Sequence, residues 1–125
     1  MSAAGWVGLV VAGAIGAPAR YLVEGWVQDR AERRWPWGTF VVNVTGSLLL
    51  GLLAGLVLYH GFPAEPRIVL GTGFCGAYTT FSTFALQTVE LLEEGATRGA
   101  VLNGLGTLVL GVAAAAAGLA LAAAF

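Results

Sequence analysis

The sequence predicts an all-α integral membrane protein with four transmembrane helices, and three observations carry that reading. Of 125 residues, 58% are hydrophobic and only 10% are charged, with a mean hydropathy of +0.82, far from the composition of a soluble domain. The charges leave four uncharged stretches, residues 3–19, 35–64, 68–89 and 99–125, each near the length of about 20 apolar residues that a helical span needs. Between these stretches lie the charged and turn-forming residues that end spans. A single four-helix transmembrane domain over residues 1–125 uses nearly the whole chain. A separate soluble catalytic domain, a nucleic-acid module and a disulfide-stapled secreted fold are thereby excluded, and a net charge of -1 offers nucleic acid no basic footprint.

The first helix is expected over about residues 3–23. Met1-Ser2-Ala3-Ala4-Gly5 places no Lys or Arg ahead of the apolar run, so the stretch reads as a retained helix and not a secretory signal. Glu24, Asp29, Arg30, Glu32, Arg33 and Arg34 are expected to form the first connection, with Arg20 pairing to Glu24 one turn on and snorkelling toward the interface. Trp35-Pro36-Trp37 suits a helix start at headgroup level, opening a second span over about 36–59. That span ends at His60-Gly61-Phe62-Pro63-Ala64-Glu65-Pro66, where His60 caps or wets a loop rather than binding a metal. The third span covers about 67–90 and the fourth about 98–124. All six basic residues are arginines; Arg30, Arg33, Arg34 and Arg98 fall on one side and Arg67 alone on the other, a four-to-one bias that places both chain ends outside. A chain this short with so few determinants can also insert both ways and pair antiparallel.

Small and polar residues recur every four positions, which stacks them along one helix face. The second helix carries Thr39, Asn43, Ser47, Gly51 and Gly55; the first carries Gly8, Ala12, Gly16 and Arg20; the fourth carries Gly99, Asn103, Thr107, Gly111 and Ala115. Lipid supplies no hydrophobic drive between helices, so close approach at small residues supplies the packing. Asn43 is different, because an amide within an apolar span is costly unless paired, and such residues glue helices or line a watery cavity.

The run Gly71-Thr72-Gly73-Phe74-Cys75-Gly76-Ala77-Tyr78-Thr79-Thr80-Phe81-Ser82-Thr83-Phe84 makes a poor membrane helix. Its glycines and threonines predict a break near residues 76–80, at mid-membrane, with Thr79 and Thr80 capping the restart. Unwound backbone at that depth must be buried in protein or line a cavity, and its freed carbonyls, such as those of Gly76 and Thr79, suit a hard cation like Na⁺. Phe81 and Phe84 share a helical face. Such pairs ordinarily serve as core or lipid-facing surface, but a ring edge is the positive part of the phenyl quadrupole. Rings presented edge-on, with hydroxyls and the Asn43 amide replacing hydration, suit a small anion. The single cysteine, Cys75, has no intramolecular partner, and no Cys/His cluster has zinc-site spacing.

Gly16-Ala17 with Arg20-Tyr21, Gly38-Thr39-Phe40 with Asn43 and Gly46-Ser47, and Gly73-Phe74-Cys75-Gly76 with Thr79-Thr80-Phe81-Ser82-Thr83-Phe84 resemble the Fluc fluoride channels, also called CrcB, across all four spans in order. The resemblance implies a passive fluoride channel of the cell's inner (plasma) membrane that exports F⁻ and so confers fluoride resistance. It also implies an antiparallel dual-topology dimer with two pores and a central structural Na⁺. On that likeness Phe81 and Phe84 form an aromatic box, Asn43 donates to fluoride, and Ser82 and Thr83 continue a polar track. Gly76 and Thr79 give main-chain carbonyls to Na⁺, and Arg20 is structural or draws anions to a vestibule. Thr39, Ser47 and Thr107 are weaker pore-wall candidates. The chain departs from the family in having Phe84-Ala85-Leu86-Gln87 where a serine and a glutamate often follow, which puts a vestibule carboxylate in doubt; Glu90 lies one turn further along. The subunit pairs with itself or with a paralogous second chain.

The rival reading is a small proton-coupled multidrug-type exporter, which needs a carboxylate deep in the membrane. No Asp or Glu lies deep in any predicted span. A non-transporting membrane subunit would leave the weak third helix without a purpose, and no catalytic constellation supports an enzyme.

Overall fold

A computed structural model describes residues 1–32 and 34–125. Among the described residues the secondary structure is entirely helical: α1 (Ala3–Arg30), α2 (Trp37–His60), α3 (Ala64–Ile68), a π-helical stretch (Val69–Cys75), α4 (Gly76–Tyr78), α5 (Ser82–Glu93) and α6 (Thr97–Ala123). Three of these helices, α1, α2 and α6, are long and apolar enough to cross a membrane, as in an all-α multi-pass membrane protein. Arg33 lies outside the described residues.

Ser2 starts α1 by accepting the Gly5 N–H on its hydroxyl oxygen at 3.0 Å, satisfying one of the free amides of the first turn. The helix does not stop near Val23 but runs on to Arg30, so Glu24, Asp29 and Arg30 sit on helix rather than in the connection. Glu, Gln and Arg favour helix, and the guanidinium of Arg30 lies 4.1 Å above the Trp26 ring while donating to the Trp26 carbonyl. Glu24 does not turn to Arg20; it accepts from the Thr39 hydroxyl at 3.2 Å. Gln28 secures the short link to α2, donating to the Glu32 and Trp35 carbonyls and accepting from the Gly38 N–H, each at 3.0 Å. Trp35, Trp37 and Phe40 pack edge-on at the start of α2. Gly61 closes α2 with φ +64°, a left-handed conformation that side chains disfavour.

The most extensive packing joins α2 to α6. A Cβ at Gly51 would overlap the Ala115 carbonyl oxygen, and one at Gly118 would collide with the Leu48 carbonyl and reach 2.6 Å from the Leu52 nitrogen. The two backbones touch because nothing projects between them, as small-residue packing in lipid requires. On the other side α1 packs on the π-helical stretch and α4, with Gly16 against the Phe74 carbonyl and Ala77.

The two ends of the bundle are tied separately. At one, the Ser2 N–H and hydroxyl donate to the Glu65 carboxylate, and His60 Nε2 lies 2.6 Å from the Ala122 carbonyl oxygen. At the other, Trp35 Nε1 donates to the Gly99 carbonyl at 3.1 Å.

Candidate functional site

Residues 71–76 stay helical. The glycines there widen the helix into π register, Gly76 holding φ -61° and ψ -35° while its N–H reaches the Gly71 carbonyl. The chain leaves helix at Thr79, with φ -82° and ψ 161°, and resumes at Ser82. Thr79 terminates the upstream piece by giving both its N–H (2.9 Å) and its hydroxyl (2.8 Å) to the Cys75 carbonyl.

Asn43, on α2, supplies the interruption's missing partners. Its Oδ1 accepts the Thr80 N–H and its Nδ2 donates to the Thr80 carbonyl, both at 2.9 Å. The amide thus pairs with the N–H and C=O of a single residue as a neighbouring strand would, which answers the cost of burying backbone polar groups. Downstream, Thr80 Oγ1 accepts the Thr83 N–H at 3.2 Å, capping α5. A continuous helix would have sent the Thr80 N–H to the Gly76 carbonyl and the Thr83 N–H to the Thr79 carbonyl. Both amides go elsewhere, so both carbonyls lose that partner.

Beside the interruption lies a cavity of about 420 Å³, lined by Asn43, Ser47, Thr79, Thr80, Phe81 and Phe84 together with Leu50, Gly104, Thr107 and Leu108. The Phe81 and Phe84 rings are 6.0 Å apart at 51°, and Phe81 is 78% exposed, so one wall of the cavity is open. Thr107 Oγ1 is buried without a partner. Ser47 spends its hydroxyl hydrogen on the Asn43 carbonyl at 2.8 Å. No carboxylate contributes to this lining among the described residues.

The remaining sequence candidates lie elsewhere. Thr39 is 1% exposed and turned to Glu24. Ser82 is exposed and Thr83 partly so, and neither joins the cavity lining. Arg20 is part-buried on α1. Gly76 opens α4 and Thr79 directly follows it, and Thr79 alone of the two reaches the cavity. A second, larger cavity of about 850 Å³ opens near the C-terminal ends of α1 and α5, where Glu24, Asp29, Glu90 and Glu94 outnumber Arg34 and Gln87 joins the wall. Thr80, expected as a cap for the restart, does cap α5 with its hydroxyl oxygen; what the sequence did not advertise is the pairing of its backbone with Asn43. Thr88 was missed, and Asn103 stood out only as a polar residue in the α6 stripe.

Among the described residues no group of three or more His, Cys, Asp or Glu side chains could hold a metal.

Residues 7–119 match the family described as CrcB-like protein, Camphor Resistance (CrcB). The chain is 53% identical over 118 residues to a Symbiobacterium thermophilum protein named fluoride-specific ion channel FluC 1, covering 93% of this chain and 95% of that one. A Leifsonia xyli protein with the same name is 46% identical over 111 residues, 89% of this chain and 81% of its own. The Mycobacterium bovis protein named fluoride-specific ion channel FluC 2 is 46% identical over 110 residues, covering 88% and 84%.

Proposed function

The chain belongs to the CrcB family, and from that premise we propose that it is a fluoride-selective channel, not an enzyme, through which F⁻ moves passively out of the cell across the inner membrane. The observation that carries the reading is the cavity in which the Asn43 amide, two phenylalanine rings and the Thr107 hydroxyl meet without a carboxylate. Fluoride enters only if its hydration is replaced. Asn43 Nδ2 has a second N–H beyond the one given to Thr80, Thr107 has an uncommitted hydroxyl, and ring edges add a weaker positive surface. Donors of this kind hold a small anion without trapping it, and they favour fluoride over the larger chloride, whose charge is more diffuse. The lining supports passive movement, because a proton-coupled step needs a titratable group there.

Phe81, largely uncovered in one chain, is proposed to meet a second copy in an antiparallel dimer, giving two pores. A related second chain is the other candidate partner, a pairing suggested by relatives numbered 1 and 2. The Gly76 and Thr79 carbonyls would hold a structural Na⁺. Two carbonyl oxygens are too few for a hard cation on their own, so the second copy would have to contribute as well.

Purified protein in liposomes, followed with a fluoride electrode, tests the proposal. Fluoride efflux with no proton gradient and little chloride movement supports it; absent efflux, or efflux that needs counter-moving protons, overturns it. Phe81→Ile and Phe84→Ile should each cut flux by about tenfold or more while the protein stays assembled, this being the scale of about 1.4 kcal/mol on a barrier. Unchanged flux in both removes the rings from the pathway. Replacing Na⁺ by a larger cation should lower activity or dimer stability, and indifference to the exchange counts against the Na⁺ site.

A further inference from the structure

Asn103 lies outside both cavities, is 1% exposed, and donates from Nδ2 to Thr88 Oγ1 at 2.9 Å. Thr88 in turn donates its hydroxyl hydrogen to the Phe84 main-chain carbonyl at 2.8 Å. The direction of this chain of bonds is fixed by chemistry. A carbonyl cannot donate, so the single Thr88 hydrogen goes to Phe84, and the hydroxyl can then only accept from Asn103. The amide orientation is therefore dictated rather than arbitrary. Asn103 Oδ1 is left buried with no partner, a destabilising arrangement that an apolar residue would avoid. What the position contributes is the N–H given to Thr88.

The two bonds in series tie the turn of α5 that carries Phe84 to the face of α6. A threonine bonded to the carbonyl four residues back also bends its helix slightly, and bonds linked in series polarise one another. One turn further on, α5 rests on α6 through ordinary packing of Leu91 toward Gly99. Phe84 itself is only partly buried and lines the cavity.

We propose that Asn103 is a positioning residue for Phe84, acting through Thr88, and that this pair sets the ring's orientation in the ion pathway. The proposal rests on the channel reading for its consequence in transport, but not for its structural core. The test uses the full-length protein with 4-trifluoromethylphenylalanine placed at residue 84 for ¹⁹F NMR, and unlabelled protein for flux in liposomes. Thr88→Val and Asn103→Leu should each shift or broaden the residue-84 resonance and lower fluoride flux about tenfold, with Thr88→Ser restoring both and the double variant no worse than either single change. If Asn103→Leu fails to fold, the near-isosteric Thr88→Val and Thr88→Ser carry the test. A resonance unmoved by Thr88→Val overturns the proposal, as does a double variant whose losses multiply, since Asn103 would then act on the ion independently. A wild-type protein that passes no fluoride yet shows the expected spectral changes removes the channel reading and leaves the positioning role standing.

Discussion

The seam between α2 and α6 and the interruption between α4 and α5 use the same small vocabulary of glycine, serine, threonine and asparagine to opposite ends. At the seam, Gly51 and Gly118 let backbone meet backbone, and every peptide group stays within its own helix. At the interruption, peptide groups leave the helical ladder and are satisfied from outside, Thr80 by Asn43 and Thr83 by the Thr80 hydroxyl. One region is closed by the absence of side chains, the other is held open by polar ones. The same residue types thus give rigidity or a cavity according to whether the backbone's own hydrogen bonds are spent inside the helix.

The sharpest way to break the contrast is to fill the seam. Gly51→Val would drive a side chain into the Ala115 carbonyl, an overpacking that costs about 1–3 kcal/mol where neighbours can yield and more where backbone cannot. Thermal unfolding in detergent should show the loss as a large fall in Tm or in folded yield. Gly104→Ala is the matched control, because a Cβ there meets nothing within 4 Å; it should be neutral or stabilising by up to about 1 kcal/mol through helix propensity. Equal losses in the two variants would mean that the seam is not what fixes the fold.

A smaller effect is expected at the interruption. Asn43→Leu deletes both bonds to Thr80 and leaves its N–H and carbonyl without those partners, which should cost about 1–3 kcal/mol and loosen the cavity. Amide exchange at Thr80 reads this directly and should rise well above that of residues in α2. Unchanged protection would show that Asn43 does not hold the interruption together.

The smallest effect concerns how the upstream end of the interrupted segment is fastened. The Ser2 backbone N–H, then its hydroxyl, hold the Glu65 carboxyl below the usual carboxylate range. A lowered folded value means that the contact contributes above the ordinary carboxylate pKa and is lost as pH falls through the lowered one. Protection factors at the first turn of α1, taken relative to the slower intrinsic exchange in acid, should therefore fall on acidification, and Glu65→Gln should remove that dependence. Because Glu65 is partly exposed and its contact ties down only the first turn of α1, global stability should hardly move.

Composition and the spacing of charges were enough to read an all-α membrane chain, since both follow from what a bilayer demands of about 20 consecutive residues. The contacts at Gly51 and Gly55 were legible for a related reason, a fourfold repeat having one geometric meaning on a helix. The length of α1 was not. Charges at Glu24, Asp29 and Arg30 mark where apolar sequence ends, but a helix can continue past that point, as this one does to Arg30, whose guanidinium packs on Trp26. The break was expected near residues 76–80, and the chain does leave helix at Thr79, although the backbone of Gly71, Gly73 and Gly76 stays helical. That outcome depends on Asn43, 37 residues before Thr80, and no local pattern reports such a pairing. Asn103 and Thr88 escaped for the same reason, their link spanning 15 residues between two helices.

The π-helical stretch at Val69–Cys75 has a consequence for phase. Each of its turns takes in about one residue more than an α-turn, so it advances everything downstream around the helix axis. Upstream of the shift's end, Gly73 faces Leu9 of α1; beyond it, Thr79 faces Gly46 of α2. Removing a single residue from the stretch would let it relax to α geometry and turn the downstream piece by about 100°, swinging Thr79 off α2 and the Thr80 N–H and carbonyl away from Asn43. The segment is thus more sensitive to the count of its residues than to their identity, and a one-codon deletion there should be harsher than most substitutions.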